Sequence, residues 1–498
     1  MKRTLLPILF LLLNVRLFSQ TEIRMVPIVA NDINLRQPQA TVFDSITIVC
    51  STAGKVLVRF DANCTSTVGD RMIFGASDIR NFRDNDGNTG VEVVDPNYTL
   101  TCFDHEVVYT VEEGMHTFYA VGRNYAGKQG SGIASINGNF TVLFVPDTLT
   151  DQALSWKGIV DCCWIWEDFL HVFPGTSIVA STPGKLLVNF QSWMDMPFES
   201  TLLFSTNLAP TWAADPFETP VVIPTNFNYG STMHSDIIPV SAGNHSVYGL
   251  AKFLSGDELS TNVNLYGNLS AQFVPDGNPD IQLKSQSIDE HLDADDGPVS
   301  LGQLEFTNTE EGKAWLRFTG STLSSLDDRI RIWMVPSQDP DSIISDISLQ
   351  PFIEGGSVIN FSLSGLQEVA PGTHSFDVMV DYDNASSGTL EGEILGLFTL
   401  QFIANPIPSK VNDLAHDDSF SVFPNPTTGK VYMNSTKVDR HDPIEITILN
   451  SVGQQISHLT VSDLNQYNYD LSNVPDGEYL VQIRQGKLLG VKTVVKTK

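Results

Sequence analysis

Apolar and polar residues alternate with a period of two along most of the chain, and no window sustains a helical period for more than a couple of turns. His116-Thr117-Phe118-Tyr119-Ala120-Val121 is typical, with His116, Phe118 and Ala120 falling on one face of an extended strand. Such runs are short and are separated by clusters of Gly, Pro, Asn, Asp and Ser, the residues that turn a chain. The pattern predicts an all-β protein.

The strands recur in blocks. Ser51-Thr52-Ala53-Gly54-Lys55-Val56-Leu57-Val58-Arg59-Phe60 returns as Ser181-Thr182-Pro183-Gly184-Lys185-Leu186-Leu187-Val188-Asn189-Phe190, and again as Thr309-Glu310-Glu311-Gly312-Lys313-Ala314-Trp315-Leu316-Arg317-Phe318. A second block places His116, His245 and His374 two residues after Gly114, Gly243 and Gly372, at intervals of 129 and 129. A third block, around Phe144, Phe273 and Phe402, keeps the same two intervals. The first block recurs at 130 and 128, within one residue of the same period, and three blocks so spaced describe a tandem array. In the first block the Gly-Lys step is read as a turn using positive φ. A unit of this length exceeds a minimal immunoglobulin sandwich of about 100 residues. It fits a jelly roll of eight or more strands, or an immunoglobulin-like sandwich with long loops. The expected boundaries are a β-sandwich module at 20–147, a second at 148–276 and a third at 277–405, then a linker at 406–417. Between the first two blocks the copies differ most, and loops that vary on a repeated frame are where individual function sits.

Composition agrees with this organisation. A chain of 498 residues calls for three or four domains. Its 42% hydrophobic residues supply packed cores, while only 17% charged residues argues against long solvated helices. The formal net charge is −29, and since residues 418–498 balance to zero, the excess lies in the modules. That sign disfavours nucleic acid and anionic lipid as partners. The five cysteines (Cys50, Cys64, Cys102, Cys162 and Cys163) are odd in number and lack CxxC spacing, which leaves at least one unpaired within the chain and argues against zinc.

Both ends carry export signals. Lys2 and Arg3 precede an apolar run from Leu5 to Leu13, and Leu17 and Ser19 fit a cleavage site before Gln20, so residues 1–19 read as a signal peptide. No segment offers about 18 uninterrupted apolar residues, so no transmembrane span is expected. From Phe420 onward a different small β-sandwich is predicted. Its turn residues are Phe423-Pro424-Asn425-Pro426, Gly429, Gly453-Gln454 and Pro475-Asp476-Gly477-Glu478-Tyr479, and it ends in a run rich in Val and Lys from Val491 to Lys496. In order and position these blocks resemble the type A C-terminal sorting domain of the Bacteroidetes type IX secretion system. The resemblance spans about 418–498 and marks Phe423, Pro424, Asn425, Pro426, Gly429, Gly453, Pro475, Gly477 and Tyr479 as its motif. It implies recognition by the type IX translocon, passage across the outer membrane, and either release or attachment to surface lipopolysaccharide. The expected destination is therefore outside the cell or the outer face of the outer membrane. The resemblance says nothing about the three modules.

Candidate chemistry is sparse. Asp84, Asp86 and Asn88 place oxygens at i, i+2 and i+4 as calcium loops do, with Asp95 eleven residues after Asp84. Gly87 falls at the fourth position of that loop instead of the sixth, so a plain polar turn is the competing reading. Trp193 and Trp212 lie in the variable stretch of the second module, where an aromatic surface could stack on a sugar ring; packing in the core is the alternative. The recurring His116, His245 and His374 have no recurring nucleophile or second ligand beside them, which favours a structural role. No G-x-S-x-G elbow, H-E-x-x-H, P-loop or G-x-G-x-x-G is present. The sequence thus describes a secreted or surface protein with tandem binding or adhesion modules for a glycan or protein ligand. A secreted hydrolase without short motifs and a structural surface-layer component are the alternatives.

Overall fold

Alternation of apolar and polar residues becomes strand wherever the structure describes the chain. The computed structural model describes residues 21–35, 40–50, 52–66, 71–82, 89–92, 100–124, 133–149, 151–166, 170–195, 200–212, 218–223, 229–256, 260–293, 297–324, 329–349, 357–383, 391–405, 420–435, 444–450, 455–461, 467–485 and 488–497. Among these every regular element is a β-strand. Two compact units emerge, one spanning Phe18–Pro406 and the other formed by the C-terminal segment from Ile407.

Within the larger unit the first module contains β1 (Glu22–Asn34), β2 (Thr41–Cys50), β3 (Gly54–Ser66), β4 (Arg71–Ser77), β5 (Thr89–Glu92), β6 (Leu100–Val111), β7 (Gly114–Asn124) and β8 (Ile133–Pro146). They form two antiparallel sheets, in the orders β1-β8-β3-β6 and β2-β7-β4-β5. The second module contains β9 (Ala153–Trp166), β10 (Leu170–Val172), β11 (Thr176–Ala180), β12 (Gly184–Asp195), β13 (Ser200–Asn207), β14 (Thr219–Ile223), β15 (Tyr229–Val240), β16 (Gly243–Gly256) and β17 (Ser260–Pro275). One sheet runs β9-β17-β12-β15; in the other β16 pairs with β13, β10 and β11, and β13 pairs with β14. The third repeats the plan with β18 (Ile281–Asp293), β19 (Val299–Asn308), β20 (Gly312–Ser324), β21 (Arg329–Pro336), β22 (Ser345–Leu349), β23 (Ser357–Val369), β24 (Gly372–Asp383) and β25 (Glu391–Ala404), in sheets β18-β25-β20-β23 and β19-β24-β21-β22. Two sheets interleaved in this order are the jelly roll, which settles the choice between the two sandwich types.

Each sandwich closes over its own apolar core. In the first, Val56, Val58 and Phe60 of β3 point inward, and Phe60 meets Phe103 edge-on at 4.9 Å while Phe103 stacks on Phe74 at 4.1 Å. The opposite face of the same strand ought to be wet, yet Leu57, Arg59 and Asp61 are buried as well. The reason is that each module touches both of the others through its first sheet. Leu57, Leu187 and Trp315, which share one position of the repeat, fall in a single apolar cluster with Leu143, Leu154 and Leu283 drawn from all three modules. The array is therefore one closed body of three jelly rolls rather than beads on a string.

The Gly-Lys step of the first block is explained by this packing, and the positive-φ reading of its glycine is corrected. None of Gly54, Gly184 and Gly312 has positive φ. An added Cβ at these positions would lie 2.6, 2.4 and 2.5 Å from the carbonyl oxygens of Val145, Val274 and Ile403, so these glycines permit close strand contact. It is Gly114, Gly243 and Gly372 of the second block that adopt φ of +139°, +144° and +148°. The lysines reach from one module to the next. Lys55 Nζ donates to the carbonyl of Leu154 at 2.6 Å, and Lys313 Nζ donates to that of Ile23 at 3.1 Å, both acceptors lying on the first strand of the following module around the ring. Lys185 lines the corresponding cleft of about 330 Å³ beside Ile281 and Leu283.

A Gly184→Ala substitution should weaken the body by about 1–3 kcal/mol, since backbone cannot move aside for the new methyl as a flexible side chain would. A lowered urea midpoint for the mature chain, with the slope unchanged, is the expected reading.

Candidate functional site

The smaller unit contains β26 (Phe420–Phe423), β27 (Lys430–Ser435), β28 (Ile444–Asn450), β29 (Gln455–Val461), β30 (Tyr467–Asp470), β31 (Gly477–Gln485) and β32 (Leu488–Lys496). They form a three-stranded sheet, β26-β27-β30, and a four-stranded one, β29-β28-β31-β32. Ile444, Ile446 and Ile448 alternate into a core shared with Val431, Leu471, Val481 and Val494. Most motif residues act as fasteners of this small sandwich. The turn that follows Phe423 has cis peptide bonds before Pro424 and before Pro426. Its Asn425 Oδ1 accepts the amide of Val495 at 2.8 Å, and Thr427 exchanges backbone bonds with Val495 and Thr497 at 2.8 and 2.9 Å. The terminal strand is thus gripped by the proline turn. Lys496 adds a bond to the carbonyl of Val474 at 2.5 Å and an ion pair to Asp476 at 3.3 Å.

Gly429 leaves room for Ser472, whose Oγ would lie 2.5 Å from an added Cβ, and its carbonyl accepts the amide of Leu471. Gly477 sits at φ +155°. Tyr479, 4% exposed, donates its hydroxyl to the carbonyl of Pro475 at 2.6 Å, fixing the turn between them. Phe423 is the exposed large apolar residue of the motif, 49% exposed and stacked against Tyr432 at 6.0 Å. Gly453 lies outside the described residues.

In the larger unit the conspicuous cluster of titratable groups lies where the three modules meet. Arg59 ion-pairs with Asp104 at 2.5 Å, Asp61 at 3.2 Å and Glu106 at 3.3 Å. Arg317 of the third module approaches Glu106 at 3.5 Å and donates to Asn189 Oδ1 of the second at 2.7 Å. Asn189 in turn donates to Glu106 Oε1 at 3.1 Å, and Ser270 donates to the same oxygen. Across the third interface Asp61 accepts the amide and hydroxyl of Ser364, at 3.1 and 2.6 Å, and Arg59 donates to Ser362. Arg59, Asn189 and Arg317 hold one repeat position; Glu106, Ser235 and Ser364 hold the strand position paired with it. Burial pushes the carboxyl of Asp104 up to about 8 against the pull of Arg59. Burial raises Asp61 in the same direction. This cluster was not singled out from the sequence.

Asp84, Asp86, Asn88 and Asp95 lie outside the described residues, as do residues 1–19, which the sequence reads as a signal peptide. Among the described residues no group of three His, Cys, Asp or Glu is poised for a metal. His116, His245 and His374 each bond the carbonyl four residues earlier, of Glu112, Ser241 and Ala370, at 2.7–2.8 Å, closing the hairpin over its glycine. A second pair 129 residues apart, His105 and His234, went unremarked in the sequence; both are buried, and their Nδ1 atoms meet the amide of Ala76 and the hydroxyl of Thr219 at 2.9 Å. Trp193 is 6% exposed and stacks on Tyr266 at 4.9 Å. Trp212 is half-buried; its indole N–H donates to Glu218 at 2.5 Å, and Lys252 lies 4.2 Å from its ring centre while pairing with Glu218 at 3.2 Å. The two tryptophans therefore belong to different surroundings. Cys50 and Cys102 are buried free thiols, and burial pushes Cys50 up to about 11, away from reactivity at neutral pH.

Residues 421–497 match the family described as the secretion system C-terminal sorting domain. The smaller unit is such a domain, and the protein that bears it is exported, either secreted or held at the cell surface. No curated protein matches the chain. Among solved structures, one of Sulfolobus turreted icosahedral virus shares 14% identity over 78% of this chain and 92% of its own, with a TM-score of 0.19. A structure of PNGF-II shares 8% over 70% and 98%, at 0.24, and a biofilm-associated protein BSP domain shares 9% over 96% of each, at 0.14. Likenesses at these scores carry no argument.

Tyr479→Phe should lower the stability of the sorting domain by about 0.5–1.5 kcal/mol by removing the hydroxyl bond to Pro475. The check is the urea midpoint of the domain's own transition, which should move without any change in the larger unit.

Proposed function

We propose that the three-module body is a non-enzymatic binding unit, exported by the type IX route and offering its module loops to a glycan. The observation that carries this reading is Trp212. Its half-buried ring is held in place by Glu218 at the indole N–H and by Lys252 over one of its faces, so the opposite face is fixed as a flat aromatic surface before any ligand arrives. Sugar rings stack on such surfaces, and the flanking carboxylate and ammonium supply hydrogen-bonding partners for hydroxyls. Trp193, stacked and buried, supports the frame underneath the loops. Welding three sandwiches into one body adds to the effect, because loops on a rigid frame lose less freedom on binding. Attachment to surface lipopolysaccharide after export would keep this body at the cell surface.

Two outcomes are expected. Removal of residues 418–498 should leave the protein in the periplasm, and normal amounts of the truncated chain in the medium would refute the export route. On a glycan array, the mature chain should bind and Trp212→Ala should lose at least tenfold in affinity with its melting curve unchanged. Catalytic turnover on glycans, abolished by a single Asp or Glu substitution, would instead make the body a hydrolase.

A further inference from the structure

The three-module junction holds an unequal set of charges. Two guanidinium groups, Arg59 and Arg317, face three carboxyl groups, Asp61, Asp104 and Glu106, and all five are at most 2% exposed. Asp61, Asp104 and Glu106 come from β3 and β6, and the cations from β3 and β20. The other strands packed around them bring only neutral partners among the described residues: Asn139 and Thr141 from β8, Asn189, Ser235 and Ser270 from the second module, Ser362, Ser364 and Thr399 from the third. Nearby charges at the rim are already balanced as pairs, Glu218 with Lys252 and Asp346 with Arg331, and all four are partly exposed. A net buried charge in such surroundings is costly, and a group so placed sheds the charge by binding a proton.

The hydrogen bonds indicate where the proton sits. Asp61 accepts two bonds from Ser364 and one from Arg59, and Glu106 accepts from Asn189, Ser270 and Arg59. Asp104 has Arg59 on Oδ2 and a side-chain hydrogen bond to Ser362, while its Oδ1 is buried with no partner among the described residues. A carboxylate with half its oxygens unsupported is the easiest of the three to neutralise. We propose that closure of the three modules takes up one proton, held by Asp104, so that the cohesion of the body falls as the medium becomes alkaline.

The direction follows from linkage. Asp104 titrates near 8 in the folded chain, above its ordinary value of 3.8. The folded state therefore binds the extra proton between about pH 4 and pH 8. The stability this contributes is complete at the acid end and is lost as pH rises through the folded value.

The test is urea unfolding of the mature chain across pH 5 to 9, following the transition of the larger unit. In the wild type, a one-proton linkage raises the unfolding constant by up to about tenfold per pH unit relative to an Asp104→Asn chain, whose neutral side chain needs no proton. Equal slopes in the two chains would overturn the proposal. Should Asp104→Asn fail to fold, infrared spectra of wild-type protein labelled with ¹³C-aspartate decide the matter. An aspartic acid C=O band present at pH 7 and lost in alkali is expected, and its absence at pH 7 would sink the idea.

Discussion

A sheet face bearing Arg59, Asp61, Asp104 and Glu106 can leave water only if other groups arrive to replace its hydrogen bonds. This requirement governs the larger unit. Beyond the ion pairs that Arg59 makes with the three carboxyl groups, the replacements come from other modules: Asn189 and Ser270 from the second, Ser362, Ser364 and Arg317 from the third. None of the three jelly rolls can therefore be regarded as complete alone, although each has its own apolar interior. The apolar cluster around Leu57, Leu187 and Trp315 supplies non-directional attraction, and the polar network beside it fixes which faces meet and in what register. Buried networks of this kind are a weak source of net stability, and their contribution here is to the specificity of the arrangement.

The sequence displayed the repeat, the strands and the sorting domain because these depend on local alternation and on short turn motifs. Jelly-roll connectivity was not readable in the same way, since strand order depends on pairing between residues such as Gly54 and Pro146 that lie far apart. The Gly-Lys step recurs in sequence for reasons that only the packing shows. Its glycine answers a carbonyl from a distant strand, and its lysine answers the neighbouring module, and neither partner lies nearby in the chain. The charged junction was hidden for a related reason. Arg59 and Asp61 alternate with apolar residues as solvent-facing positions do, so only the docking of three modules distinguishes them from surface. The recurring histidines were easier, because the carbonyl each one binds is four residues away.

The two units use their invariant-looking residues differently. In the sorting domain, Asn425, Gly429, Pro475 and Tyr479 hold turns and the terminal strand together, so the motif mainly specifies a shape, and Phe423 is its exposed large apolar side chain. In the larger unit the repeated residues bind copies to one another. Variable segments such as the one carrying Trp212 then remain free to diverge without disturbing the frame.

Closing the ring also decides where its ends lie. Thr21, Glu22 and Ile23 share one cleft of about 290 Å³ with Lys313, Ile403, Ala404 and Asn405, so the chain enters and leaves the three-module body at a single seam. A pull applied between those two ends does not travel through the modules in series, as it would along a string of separate domains. It falls first on the seam, where the third module's Lys313 holds the first strand of the first module. A tether under tension would open the ring there before unravelling any sandwich, leaving the individual folds to bear load only afterwards.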